Sequence, residues 1–112
     1  MKKRVAIPIE GGVISSHFGH SKLFNIYTIE NSLISKTDVL TPPPHEPGSV
    51  PRWLKSLNVD IVIAKGIGHK AIEILNNQGI EVNIGVNSNL PDDAIDEWIH
   101  GALKTGENLC DH

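Results

Sequence analysis

The chain has 112 residues and a formal net charge of −3 at pH 7, with 39% hydrophobic and 21% charged residues. That length suits one hydrophobic core and the composition is that of a folded, non-disordered chain. The acidic balance gives no general attraction to phosphate backbones or anionic lipid, so neither nucleic-acid nor membrane binding is expected. The one basic cluster is Lys2-Lys3-Arg4, and no segment approaches the roughly 20 apolar residues a transmembrane helix needs. With a single cysteine, Cys110, and no signal-peptide-like apolar run, a cytoplasmic location is expected.

Residues 4–9 read as a buried β-branched strand in which Val5, Ile7 and Ile9 alternate with Ala6 and Pro8. A Gly- and Ser-rich loop, residues 10–21, follows. Residues 23–30 and 33–40 are two strand-like runs separated by Asn31-Ser32, which fits a two-residue antiparallel hairpin. The next segment carries Pro42, Pro43, Pro44 and Pro47, which excludes a regular ladder and imposes an extended loop.

Ser49 is placed to cap a short helix with Val50, Trp53, Leu54 and Leu57 on one face. Residues 59–64 form a nearly continuous apolar run of the kind buried on both faces of a sheet. A helix over about 68–77 ends at Gly79, a favoured left-handed terminator, and Ile80, Val82 and Ile84 alternate as a further strand. A last helix begins with Asn89 or a neighbour as cap and Pro91 in its first turn, carries Ile95, Trp98, Ile99, Ala102 and Leu103 as its stripe, and stops at Gly106. This order predicts one α/β domain over residues 1–112, a mixed five-stranded sheet covered by helices, with a flexible tail from about residue 105.

Chemistry-bearing residues concentrate in loops. Six histidines are present; His17 and His20 flank Phe18-Gly19, His45 sits in the proline loop, His69 follows a strand, and Cys110 and His112 close the chain. Imidazole and thiolate are the usual ligands of zinc, copper, iron and iron-sulfur clusters. Loops after parallel strands open at the carboxyl edge of the sheet, where ligands bind, so His17, His20 and His69 are expected to converge there. Each equally fits a solvated loop residue. His100 lies off the apolar stripe of the last helix and reads as a surface residue.

Gly66-Ile67-Gly68-His69-Lys70-Ala71 matches the nominal dinucleotide fingerprint G-x-G-x-x-A. The acidic residue expected about 20 positions further on is missing, since the following strand leads to Gly85, Val86 and Asn87. A small nucleotide-dependent enzyme using residues 66–71 is thus one alternative, and a regulatory or scaffold domain without cofactor another. No G-x-S-x-G, Cys-x-x-Cys or H-E-x-x-H motif occurs, and the central strands lack the carboxylates of a two-metal nuclease. A non-catalytic role is expected.

Four segments, Val5-Ala6-Ile7-Pro8-Ile9, His17-Phe18-Gly19-His20, the run from Val59 to Gly68 and the terminal Cys110-Asp111-His112, together resemble the dinitrogenase iron-molybdenum cofactor biosynthesis family, with its NifX-like, NifB C-terminal-like and orange-protein-like branches. The resemblance spans essentially the whole chain. It implies a three-layer α/β/α fold of ribonuclease H-like type without that enzyme's acidic site. It also implies binding, carriage or insertion of a metal-sulfur cluster: the iron-molybdenum cofactor, its iron-sulfur precursor, or a related molybdenum-copper sulfide cluster. By motif match, His17, Phe18, Gly19, His20, Gly66, Ile67, Gly68 and His69 are the expected cluster-binding residues. His17, His20, His45, Cys110 and His112 are the candidate metal ligands. Family members more often carry Arg where this chain has His20. Expected partners are the cluster and a protein that donates or accepts it, the chain itself being a monomer or weak homodimer. Lys22, Lys65 and Lys70 add local positive charge.

Overall fold

Strand β1 (Lys2–Glu10) is the centre of the molecule, and all five residues from Val5 onward to Ile9 are buried. Successive side chains on a strand point to opposite faces, so Val5, Ile7 and Ile9 enter one apolar cluster while Ala6 enters another on the far side of the sheet. The computed structural model that shows this describes residues 2–108.

β1 turns back through Gly11 and Gly12, both at positive φ (63° and 81°), into the two-residue strand β2 (Val13–Ile14). β3 (Leu23–Glu30) then pairs antiparallel with β1, and β4 (Leu33–Leu40) antiparallel with β3. The turn between them is the expected two-residue hairpin, with Asn31 and Ser32 at φ 53° and 63°, the conformation whose twist matches paired strands. After helix α1 (Ser49–Ser56), β5 (Ile61–Ile63) pairs parallel with β1. Helix α2 (His69–Asn77) leads to β6 (Glu81–Asn83), parallel to β5, and helix α3 (Pro91–Ile99) follows.

The sheet order is β4-β3-β1-β5-β6, with β2 paired to β1 off this path. α1 and α2 supply Val50, Leu54 and Leu75 to the cluster on one face; α3 supplies Ala94 and Ile95 to the cluster on the other. This is the α/β/α, ribonuclease H-like arrangement with a mixed sheet. It has six strands rather than five, because the Gly11-Gly12 turn makes a hairpin inside the segment expected to be all loop.

Two local details differ from expectation. Gly48, not Ser49, occupies the position before α1, and Ser49 instead folds the proline loop. Before α3 the cap position falls to Leu90, the neighbour of Asn89. α3 ends at Ile99 rather than near Gly106, because Gly101 takes a positive φ of 70° and turns the chain. Residues expected in a loose tail are bonded to the body: the Gly106 amide donates to the Ile84 carbonyl, and Asn108 bonds to Ile67. Among the described residues no helix is long and apolar enough to cross a membrane.

The α3 layer is fastened to the sheet by Tyr27, which is 1% exposed. Its hydroxyl donates to Asp92 Oδ1 (3.0 Å) in the first turn of α3 and accepts from Asn25 Nδ2 (3.1 Å). Burial pushes its pKa up, the Asn25 bond lowers it, and the bond and charge of Asp92 raise it again, to about 12. An unfolded tyrosine ionises from about pH 10, so this group contributes stability that is present below pH 10 and lost as pH rises to about 12. Tyr27→Phe should therefore lower stability by about 1 kcal/mol at pH 7. Urea denaturation across pH 9–12 should also show a flatter alkaline decline in the variant than in wild type.

Candidate functional site

The carboxyl ends of β1 and β5 open on the α1/α2 side into a cavity of about 300 Å³. Four segments build it: the 3-10 turn Phe18–His20, the end of the proline loop, and the first turns of α1 and α2.

Phe18 anchors the first segment. Its ring is buried and meets Phe24 edge-on (centroids 5.4 Å), and Phe24 meets Trp53 of α1 in the same way (5.6 Å). The flanking His17 and His20 are left exposed. The His17 peptide is held by two buried serines: its N–H donates to Ser15 Oγ (3.1 Å) and its carbonyl accepts from Ser21 Oγ (2.8 Å). Short hydroxyl side chains bonding to nearby backbone are the usual means of fixing such turns. The Phe18 amide donates to the Gly66 carbonyl (3.1 Å), which joins this turn to the loop after β5.

The proline loop brings in His45. Ser49 Oγ donates to the Pro44 carbonyl (3.0 Å) and accepts from the Glu46 amide (3.1 Å), closing the loop around His45. The His45 ring then lies against the His20 ring, with centroids 4.4 Å apart and planes 37° from parallel. Gly19 makes this approach feasible, because a Cβ there would stand 3.0 Å from His45 Cε1.

Of the expected residues, His17, Phe18, Gly19, His20, His45 and Gly68 all line the cavity. Gly66 and Ile67 support it from behind through the Phe18 bond and through Ile67's fully buried side chain. His69 begins α2 and is exposed, and the residue that joins His17 and His20 at the cavity is His45. Cys110 and His112 lie outside the described residues. His100 is solvent-facing, with its ring 3.5 Å from the Asp96 carboxylate. Among the described residues no three His, Cys, Asp or Glu side chains form a group able to hold a metal ion. The imidazoles share a cavity without making an ion cage.

The electrostatics favour an anion. The first turns of α1 and α2 both face the cavity, and helix N-termini carry unpaired amide N–H groups and partial positive charge. Lys70 adds a cation, and Glu46 is the one acid among the described lining residues. Val50, Pro51, Ala71 and Ile74 give the cavity apolar walls. Sequence reasoning missed these walls and the Ser15, Ser21 and Ser49 supports, although the Ser-x-His spacing at Ser15 was a usable signal. The fingerprint-like glycines do not form an open phosphate cradle: the Ile67 amide is taken by Asn108 Oδ1 (2.9 Å) and the Gly66 carbonyl by Phe18. A larger recess of about 690 Å³ at the other end of the sheet is lined by Lys2, Arg4, Lys36, Glu30 and Asp60, charges of both signs with no common preference.

An α/β/α domain with an imidazole-lined cavity at the carboxyl edge of its sheet is the class that these observations define. Residues 1–101 match the sequence model of the dinitrogenase iron-molybdenum cofactor family, and the chain belongs to that family. The crystal structure of PH0822 is similar over 95% of this chain and 96% of its own, at 37% identity and a TM-score of 0.86. The uncharacterized protein MJ0580 of Methanocaldococcus jannaschii is 28% identical over 93% of this chain and 92% of its own length. The apo form of the orange protein from Desulfovibrio gigas shares the fold at 17% identity, with a TM-score of 0.76 over 95% of this chain and 94% of its own.

Gly19→Ala should displace the His45 ring from residue 19 by a few tenths of an ångström while leaving stability within about 0.5 kcal/mol of wild type. Imidazole NMR resonances of His20 and His45 should shift, with the core methyl spectrum unchanged.

Proposed function

We propose that the protein is a non-catalytic carrier that holds an anionic metal-sulfur cluster in the cavity of His17, His20 and His45 and passes it to a partner protein. The observation that carries this reading is the convergence of three imidazoles, Lys70 and two helix N-termini on one apolar-walled cavity at the carboxyl edge of the sheet. Membership of the iron-molybdenum cofactor family supports it. The cluster is cargo here. A thiometallate or iron-sulfur cluster brings its own sulfides, so it needs fewer protein donors than a bare ion, and backbone N–H groups can donate to those sulfides.

The exposed positions of His17, His20 and His45 suit reversible ligation, because the cargo enters and leaves without opening the core. Cys110 extends the donor set in this reading, as the motif match implies. The same reading places the protein in the cytoplasm, as one domain without a resident cofactor.

The test is anaerobic incubation of the protein with tetrathiomolybdate and with iron-sulfur clusters, followed by gel filtration and visible absorption. Wild type should retain about one cluster per chain. His17→Ala and His45→Ala should each weaken retention at least about tenfold, the loss of one charge-assisted contact. Retention of neither probe by wild type, or retention by both variants equal to that of wild type, would sink the proposal.

A further inference from the structure

We propose that Asn108 is a positioning residue for the cavity, and that through it the C-terminal segment governs the loop from which both halves of the site are hung. The Asn108 side-chain amide grips the backbone of one residue with two bonds: Oδ1 accepts from the Ile67 N–H (2.9 Å) and Nδ2 donates to the Ile67 carbonyl (2.8 Å). This is the two-bond pattern that a neighbouring strand would supply, delivered by a side chain 41 residues away in sequence.

The gripped residue sits at a branch point. On one side, the Gly66 carbonyl accepts from the Phe18 amide and so carries the turn that presents His17 and His20. On the other, Gly68 precedes α2, accepts from the Ile72 amide, and lines the cavity with Lys70 and Ala71. The Ile67 side chain is fully buried in the α1/α2 cluster, so the residue is fixed by the core from one direction and by Asn108 from the other.

The segment that carries Asn108 is itself seated. The Gly106 amide donates to the Ile84 carbonyl (3.1 Å), and Gly85, at φ 69°, leaves the space that the segment occupies. A Cβ at Gly85 would stand 2.4 Å from the Glu107 carbonyl oxygen. Both the backbone angle and the contact require glycine at that position. The consequence is a linear linkage from the β6–α3 connection, through residues 106–108, to Ile67, and from there to the imidazole turn and to the start of α2.

A residue needed only for the fold would loosen the core. Asn108 instead holds a loop at the carboxyl edge, and the two apolar clusters contain none of residues 104–108. Its loss should therefore act locally.

Amide hydrogen exchange on the full-length apo-protein tests this. Asn108→Ala should speed exchange at Phe18 and Ile67 at least about tenfold while leaving Ala6 and Val62 in the central strands unchanged, since the affected opening is local. Asn108→Asp, which keeps the acceptor for the Ile67 N–H but loses the donor to its carbonyl, should fall between. Gly85→Ala should reproduce the pattern without touching Asn108, by displacing the segment. Unchanged exchange at Phe18 and Ile67 would overturn the proposal, and so would equal acceleration at every amide. That this linkage tunes cargo binding rests on the function proposed above; there, Asn108→Ala should weaken tetrathiomolybdate binding by about tenfold, and equal affinity in spite of faster exchange would overturn that connection. If wild type binds no tetrathiomolybdate, the carrier reading fails while the exchange data still decide the role of Asn108.

Discussion

The pairing of β1 with β5 is the constraint from which the rest of the molecule follows. Two parallel partner pairs, Val5 with Ile61 and Ala6 with Val62, set the two strands side by side with their carboxyl ends together. Because both strands are apolar on both faces, each face must be covered, and three helices do so in two layers. The loops that leave β1 and β5 are then forced to the same edge. There the Phe18 amide meets the Gly66 carbonyl, and the cavity forms in front of that bond, between the imidazole turn and the starts of α1 and α2.

The cavity combines features that are seldom useful separately. Apolar walls from Val50, Pro51, Ala71 and Ile74 exclude water from part of the surface, while the helix starts and Lys70 leave a positive bias. A small hydrated anion gains little from apolar walls. A sulfide-rich cluster is large, polarizable and weakly hydrated, and suits both. The tilted pair of His20 and His45 forms the rim at which such a cargo would be met.

Much of this was legible in the sequence, and the reasons are specific. Alternation in Val5, Ile7 and Ile9, the Asn31-Ser32 turn, the apolar run into Ala64 and the Gly79 terminator are local signals whose physics does not depend on the rest of the chain, and each marks the element it suggested. The Gly11-Gly12 hairpin was equally local but lay in a segment whose serines and glycines read as loop. What the sequence could not reveal were meetings between distant segments. That His45 reaches His20, where His69 had been expected to join the site, depends on Ser49 folding the proline loop and on Gly19 leaving room. That Asn108 grips Ile67 depends on α3 stopping early at Gly101. His17 and His20, chosen as ligands by motif, line the cavity, and Cys110 and His112 lie outside the described residues.

The most direct test of cluster carriage in this cavity is an NMR titration of the labelled apo-protein with tetrathiomolybdate, reading backbone amides and histidine rings together. Shifts should concentrate at His17, Gly19, His20, His45, Gly48 and the Gly68–Ala71 amides, saturating at about one equivalent. Shifts centred instead on the Lys2, Arg4 and Lys36 recess, or scattered over the exposed lysines without saturation, would contradict it.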